Sequence, residues 1–200
     1  TKGNVYIIRN GYGVTVEKKS QTSPSDTKKK TGTGNFITAY IDHGTSPQNA
    51  SYEYLMLVRP SSKDEGRFAK KLPYTVIQAD NQAHVVRDDI TGITAYISYG
   101  GYASAETLVA GAEPETIVME RTRDDGKVVM SVCTPDLGIT EKGYTTTQQS
   151  QKILKKVILK GTWSLSSPSE NVDLIIEDGN TVISAICLHG QPVEFTLNNN

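Results

Sequence analysis

The sequence predicts an all-β chain folded as antiparallel β-sandwiches, and three observations carry that expectation. Short runs of β-branched and aromatic residues recur along the 200 residues, separated by Gly, Pro, Asn and Asp turn formers. Only one segment, Ser61 to Leu72, has the chemistry of helix ends. No helical pattern stands between successive strands to make parallel crossovers, so sheets stacked face to face are the way to bury their apolar sides.

In chain order, Val5-Tyr6-Ile7-Ile8 and Tyr12-Gly13-Val14-Thr15-Val16 flank Asn10-Gly11, a pair that tolerates the left-handed region, and predict an opening hairpin. Lys18 to Gly34 is polar, rich in turn formers and without periodicity, and predicts a long loop carrying Lys28, Lys29 and Lys30. Gly34 to Gly44 alternates Phe36, Thr38 and Tyr40 with Ile37, Ala39 and Ile41. Asn49 to Pro60 opposes Tyr52, Tyr54, Met56 and Val58 to Leu55 and Leu57. These runs predict the central hairpin, with strands apolar on both faces as between two packed layers.

Ser61 as N-cap, Asp64 and Glu65 early, and Lys70 and Lys71 late predict a short helix. Pro73 ends it and marks the boundary between residues 1–72 and 73–200. Beyond it the sequence predicts strands over 74–79, 83–87, 92–99, 117–121, 128–133, 152–159, 172–177, 182–188 and 193–197, punctuated by Asp80-Asn81, Asp125-Gly126 and Asp178-Gly179-Asn180.

Composition bounds the function. A net charge of -1 and a pI near 6.3 give no global basic field, so no nucleic-acid partner is expected and any polyanion site must be local. Seven basic and two acidic residues fall in the first 34 positions, which makes the lysine-rich stretch the local candidate. No apolar run approaches the roughly 18 residues of a membrane-spanning helix. The chain begins Thr1-Lys2-Gly3 and reads as a processed chain or an excised fragment.

Chemistry-bearing motifs are sparse. His43, His84 and His189 have no zinc-ligand spacing, and Cys133 and Cys187 are too few for a disulfide framework, so neither a metal nor another cofactor is expected and both thiols read as free. Asp42-His43 could be a catalytic pair, but a histidine holding a loop is the reading taken. Asp88-Asp89 and Asp124-Asp125 read as solvated turn carboxylates. Tyr96, Tyr99 and Tyr102 are either sugar platforms or core residues with a polar tip.

Three segments, Gly34-Asn35-Phe36, Tyr40-Ile41-Asp42-His43-Gly44 and Ala50-Ser51-Tyr52-Glu53-Tyr54, resemble the C-terminal β region of family 8 polysaccharide lyases. Among these the chain is most similar to chondroitin sulfate ABC lyases. The likeness continues through Tyr74 to Asp88, Ile117-Val118-Met119 and Val132-Cys133-Thr134-Pro135-Asp136-Leu137. Tyr40 stands where many members carry Trp, and Cys133 where a smaller residue is usual.

The resemblance implies large extracellular or periplasmic bacterial enzymes, a helical toroid followed by β-sandwiches, which cleave chondroitin or dermatan sulfate and hyaluronan by β-elimination. Their catalytic residues match no position here, so no catalytic residue is assigned. Residues 1–72 would then be the end of the large sandwich and 73–200 the small C-terminal sandwich. Asp42, His43, Gly44, Tyr52 and Tyr54 would be a structural motif, and Lys28, Lys29 and Lys30 a minor substrate contact. The implied partners are sulfated or uronic-acid polysaccharide, through the parent enzyme, and the upstream catalytic domains. An independent carbohydrate-binding module is the alternative.

Overall fold

The computed structural model describes residues 3–9, 11–24, 31–137 and 150–200. Two units cluster separately, Thr1–Leu72 and Pro73–Asn200.

In the first unit, β1 (Val5–Ile8) pairs antiparallel with β4 (Tyr54–Leu57), and β2 (Val14–Pro24) with β3 (Thr31–Ile41). Both hairpins expected here are corrected. β1 does not pair with β2 across Asn10-Gly11, and β3 does not pair with β4. The expected loop from Lys18 to Gly34 is instead largely strand, eleven residues on each side of a ladder running from Val14↔Ile41 to Pro24↔Thr31. Thr15, Thr22, Thr31 and Thr33 suit a pleated strand, and Thr22 and Thr33 bring their hydroxyls within 3.2 Å across the ladder. That pairing occupies β3, so residues 42–53 cross between sheets rather than turning within one. Gly44, Ser46 and Asn49 take positive φ along this crossing.

Helix α1 (Ser62–Lys70) forms as its sequence predicts, with Ser61 Oγ accepting the Asp64 amide and Lys71 N–H closing on the Arg67 carbonyl. It lies against β1. No described residue of this unit is fully buried.

The second unit is a two-sheet sandwich. Its strands are β5 (Tyr74–Ala79), β6 (Ala83–Asp88), β7 (Thr94–Ser98), β8 (Tyr102–Ala103), β9 (Val109–Ala112), β10 (Thr116–Thr122), β11 (Val128–Cys133), β12 (Ile153–Lys160), β13 (Trp163–Leu165), β14 (Val172–Glu177), β15 (Asn180–Cys187) and β16 (Val193–Asn199). Seven form one antiparallel sheet, in the order β13-β16-β11-β10-β7-β6-β5, and five the other, β14-β15-β12-β9-β8. β5 is an edge strand with a bulge at Ile77. Alternation puts Val85, Tyr96, Val118, Met130, Val132 and Leu197 of the first sheet against Val109, Val157, Leu159, Ile183 and Ala185 of the second in one core. Each such aliphatic side chain contributes about 1.5–3 kcal/mol by leaving water. The antiparallel β-sandwich expected from the sequence is therefore the fold. β8, β9 and β13 were not foreseen.

Candidate functional site

The first unit contains an open groove of about 580 Å³ between its two small sheets. The register explains its composition. Val14↔Ile41 and Val16↔Ala39 share one face of the β2–β3 ladder, while Tyr6↔Met56 and Ile8↔Tyr54 share one face of the β1–β4 pair. Val14, Ile37, Ala39 and Ile41 form one wall, and Tyr6, Ile8, Tyr52 and Tyr54 the other.

All five residues of the expected Asp-His-Gly and Tyr-x-Tyr motif take part in ring contacts or turn geometry. Tyr52 and Tyr54 stack with centroids 6.2 Å apart and planes 13° from parallel; His43 lies 6.4 Å from Tyr52, and Tyr6 5.9 Å from Tyr54. Asp42 Oδ1 accepts the Gly44 amide at 2.8 Å, so Asp42 shapes the turn. Gly44 supplies the positive φ of that turn. Beside the groove, Arg9 donates to Glu53 at 3.0 Å. Lys28, Lys29 and Lys30 lie outside the described residues.

The arrangement is apolar with phenolic tips. Tyr52 is 65% exposed, Ile37 73% and Val16 66%, so this apolar β-face stands open to solvent. Among the described residues, no group of three His, Cys, Asp or Glu side chains could hold a metal ion.

The other sequence candidates scatter. Asp88 accepts from the Thr91 hydroxyl and the Ile90 amide, Asp89 pairs with Arg87 at 3.1 Å, and Asp125 accepts the Lys127 amide. Asp88 and Asp125 shape turns, and Asp89 is held by Arg87 and the Thr75 hydroxyl. Tyr96 and Tyr102 are buried, their rings 5.3 Å apart, whereas Tyr99 is exposed and meets His84 edge-on. Both cysteines are free, and burial pushes both thiols up.

Sequence reading missed two charged residues inside the sandwich. Lys155 is buried and donates from Nζ to the Pro114 carbonyl at 2.9 Å. Glu120 is buried on the inner face of β10. The signal was available for both: Thr116, Val118 and Glu120 share one parity, as do Lys155, Val157 and Leu159.

No protein-family profile matches the chain. Chondroitin sulfate ABC endolyase of Proteus vulgaris is 27% identical over 202 residues, covering 98% of this chain and 19% of that protein. Chondroitin sulfate ABC exolyase of Bacteroides thetaiotaomicron is 28% identical over 197 residues, covering 86% of this chain and 19% of the exolyase. Among solved structures, Paenibacillus xanthan lyase superposes with a TM-score of 0.71 at 17% identity, over 98% of this chain and 19% of that one. Streptomyces coelicolor A3 chondroitin AC lyase in complex with chondroitin sulphate gives 0.68 at 16%, over 98% and 25%. The chain thus spans about a fifth of the length of the curated relatives it matches. Over most of its own length it is homologous to part of the chondroitin sulfate ABC lyases, and it has the fold of part of the chondroitin AC and xanthan lyases.

Proposed function

We propose that this chain is the non-catalytic C-terminal part of a bacterial, extracellular or periplasmic glycosaminoglycan lyase. In this reading residues 1–72 complete a large β-sandwich, residues 73–200 form the small terminal sandwich, and together they buttress the upstream catalytic domains. The parent enzyme cleaves chondroitin or dermatan sulfate and hyaluronan by β-elimination. The observation that carries this is the open groove: two two-stranded sheets face each other with Val16, Ile37 and Tyr52 more than half exposed, in a chain one fifth the length of its relatives. Further strands of the same protein would cover it.

The chemistry supports the same assignment. Elimination beside a uronic acid needs a base at the C5 proton and a group neutralising the carboxylate, held together. His43 is the local candidate for a base, but Asp42 is committed to Gly44 and Arg9 to Glu53. The test follows the ultraviolet absorbance of unsaturated product from chondroitin sulfate and hyaluronan. The isolated chain should give none, and the full reading frame should turn over at an unchanged rate with His43→Ala. Turnover by the isolated chain that His43→Ala abolishes would overturn the reading.

One observation favours the alternative of a carbohydrate-binding module: the stacked pair Tyr52–Tyr54 offers a flat aromatic surface to a pyranose ring. Affinity electrophoresis against chondroitin sulfate separates the two. A module is retarded and loses retardation with Tyr52→Ala, whereas a buttress runs unretarded. Lys28, Lys29 and Lys30 are proposed as a weak polyanion contact, for which retention on a heparin column should fall when all three become Ala and at raised salt.

A further inference from the structure

Strand β14 is an edge that the fold leaves open. It ends the five-stranded sheet, and its ladder to β15 runs without a bulge from Val172↔Ala185 to Glu177↔Asn180. Asp178 and Gly179, both at positive φ, close that hairpin tightly and fix its register. Among the described residues no other strand pairs with β14, so alternate residues turn their N–H and C=O groups to solvent. The other sheet ends of this unit are poorer templates: β5 is bulged, and β8 and β13 are two and three residues long.

The side-chain layers also stop short at this edge. Gly111, Ile158, Val182 and Ile175 lie in register across the outer face of the sheet, and Leu159, Thr181 and Ile176 across its inner face. Along the inner row exposure jumps from 0% at Leu159 and Thr181 to 50% at Ile176, while Ile175, on the opposite face, is 53% exposed. Both layers are apolar up to the edge and uncovered there. One more strand would continue them and satisfy the open backbone groups.

Charge selects that strand. Asp173 and Glu177 flank Ile175 on the outer face, and among the described residues neither forms an ion pair. The lysines in register with them, Lys156 and Lys160, lie two strands in, with Ser184 and Asn180 between. Residues 161–200 carry Glu170, Asp173, Glu177, Asp178 and Glu194 and no Lys or Arg. A second copy of β14 is therefore a poor occupant. Laid antiparallel and centred on Ile175, it sets Asp173 against Glu177 at both ends; laid parallel in register, each acid meets itself.

We propose that β14 is a docking edge for an extended segment of another protein, one in which Lys or Arg residues bracket a short apolar run. The basic side chains stand opposite Asp173 and Glu177, the apolar run lies against Leu174, Ile175 and Ile176, and the two backbones pair as a sixth strand of the sheet.

The probe is the capped peptide Lys-Lys-Val-Val-Val-Lys-Lys, titrated into the nitrogen-15-labelled 200-residue chain and followed by NMR. Amide signals of Val172–Glu177 should shift with saturation, those of the bulged edge Tyr74–Ala79 should not, and binding should weaken between about 0.05 M and about 0.5 M salt. Asp173→Asn combined with Glu177→Gln should weaken binding about fivefold, the effect of two exposed ion pairs. Trp163, the one tryptophan and buried in this unit, reports by its fluorescence that the double variant is folded. The same peptide with alternate backbone amides N-methylated keeps its charge but loses its donors, and should not bind. Absence of shifts at β14 overturns the proposal. So do equal binding by the peptide with Glu in place of Lys, equal binding by the N-methylated peptide, which would mean attraction by charge alone, and an affinity unmoved in the double variant. Shifts at β14 that grow with the concentration of the chain without peptide would make the occupant a second copy and overturn it as well.

Discussion

Asp80 closes its turn by accepting three hydrogen bonds, from the Gln82 amide at 2.8 Å, the Ala83 amide at 2.9 Å and Gln78 Nε2 at 2.9 Å. The Ala83 and Gln82 amides, in that order, hold its carboxyl below the usual range. Asp88 is held low by the Thr91 hydroxyl and then the Ile90 amide. A depressed folded value means stability that is present above the ordinary carboxylate value and lost as pH falls through the folded one. Asp80→Asn should therefore flatten part of the acid loss of the second unit below about pH 4 while keeping most of the turn, read from the Trp163 transition. Environment also separates two isoleucines of the same strand chemistry. Ile183 is fully buried and Ile37 is 73% exposed. Ile183→Ala should cost about 2–5 kcal/mol in denaturant unfolding of this chain, and Ile37→Ala within about 0.5 kcal/mol. In a full-length lyase that covers the groove, the Ile37 cost should rise toward the Ile183 value.

Elements show which signals are local. Helix α1 was legible because its determinants lie within twelve residues: the Ser61 cap, the early acids, the late bases and Pro73 beyond. Ser61→Ala should cost about 1 kcal/mol of first-unit stability, measured as faster amide exchange over Ser62–Lys70. The strands of the second unit were legible for a similar reason. Asp80, Asp88 and Asp125 close tight connections whose side chains accept the turn amides, and inward residues alternate with outward ones. Pairing in the first unit was not legible. Asn10-Gly11 signals a turn but cannot say whether the chain returns in the same sheet, and β1 takes its partner some fifty residues away at Tyr54–Leu57. Lys18 to Ser23 is charged or polar at every position, so it lacks the apolar alternation that would reveal its β character. β8 and β13 are two and three residues long, below any periodicity, and β9 carries Gly111 where a side chain would crowd Ile158. The aromatic site was half visible. Tyr52 and Tyr54 share a strand parity, but Tyr6 joins them only through the β1–β4 register.

At the scale of the whole molecule, the two units differ in what they bury. Residues 73–200 enclose a core running from Ala83 to Leu197, while the described residues of 1–72 include none that is fully buried. Limited proteolysis of the isolated chain should therefore cut first within 1–72 and leave 73–200 as a stable product, visible by mass spectrometry. The difference extends to the sheet margins. β5, the last strand of the seven-stranded sheet, carries the bulge at Ile77 and is preceded by Pro73, two devices that spoil a straight hydrogen-bonding edge. Such an edge offers a poor template to another chain. In the first unit β1 and β4 pair, among the described residues, only with each other, and Tyr6, Met56 and Tyr54 stand exposed along the pair. Self-association of the purified chain should accordingly be concentration-dependent and one-sided. Sedimentation velocity should show oligomers for residues 1–200 that disappear for 73–200, so the bulged strand makes the second unit the end at which a growing assembly stops.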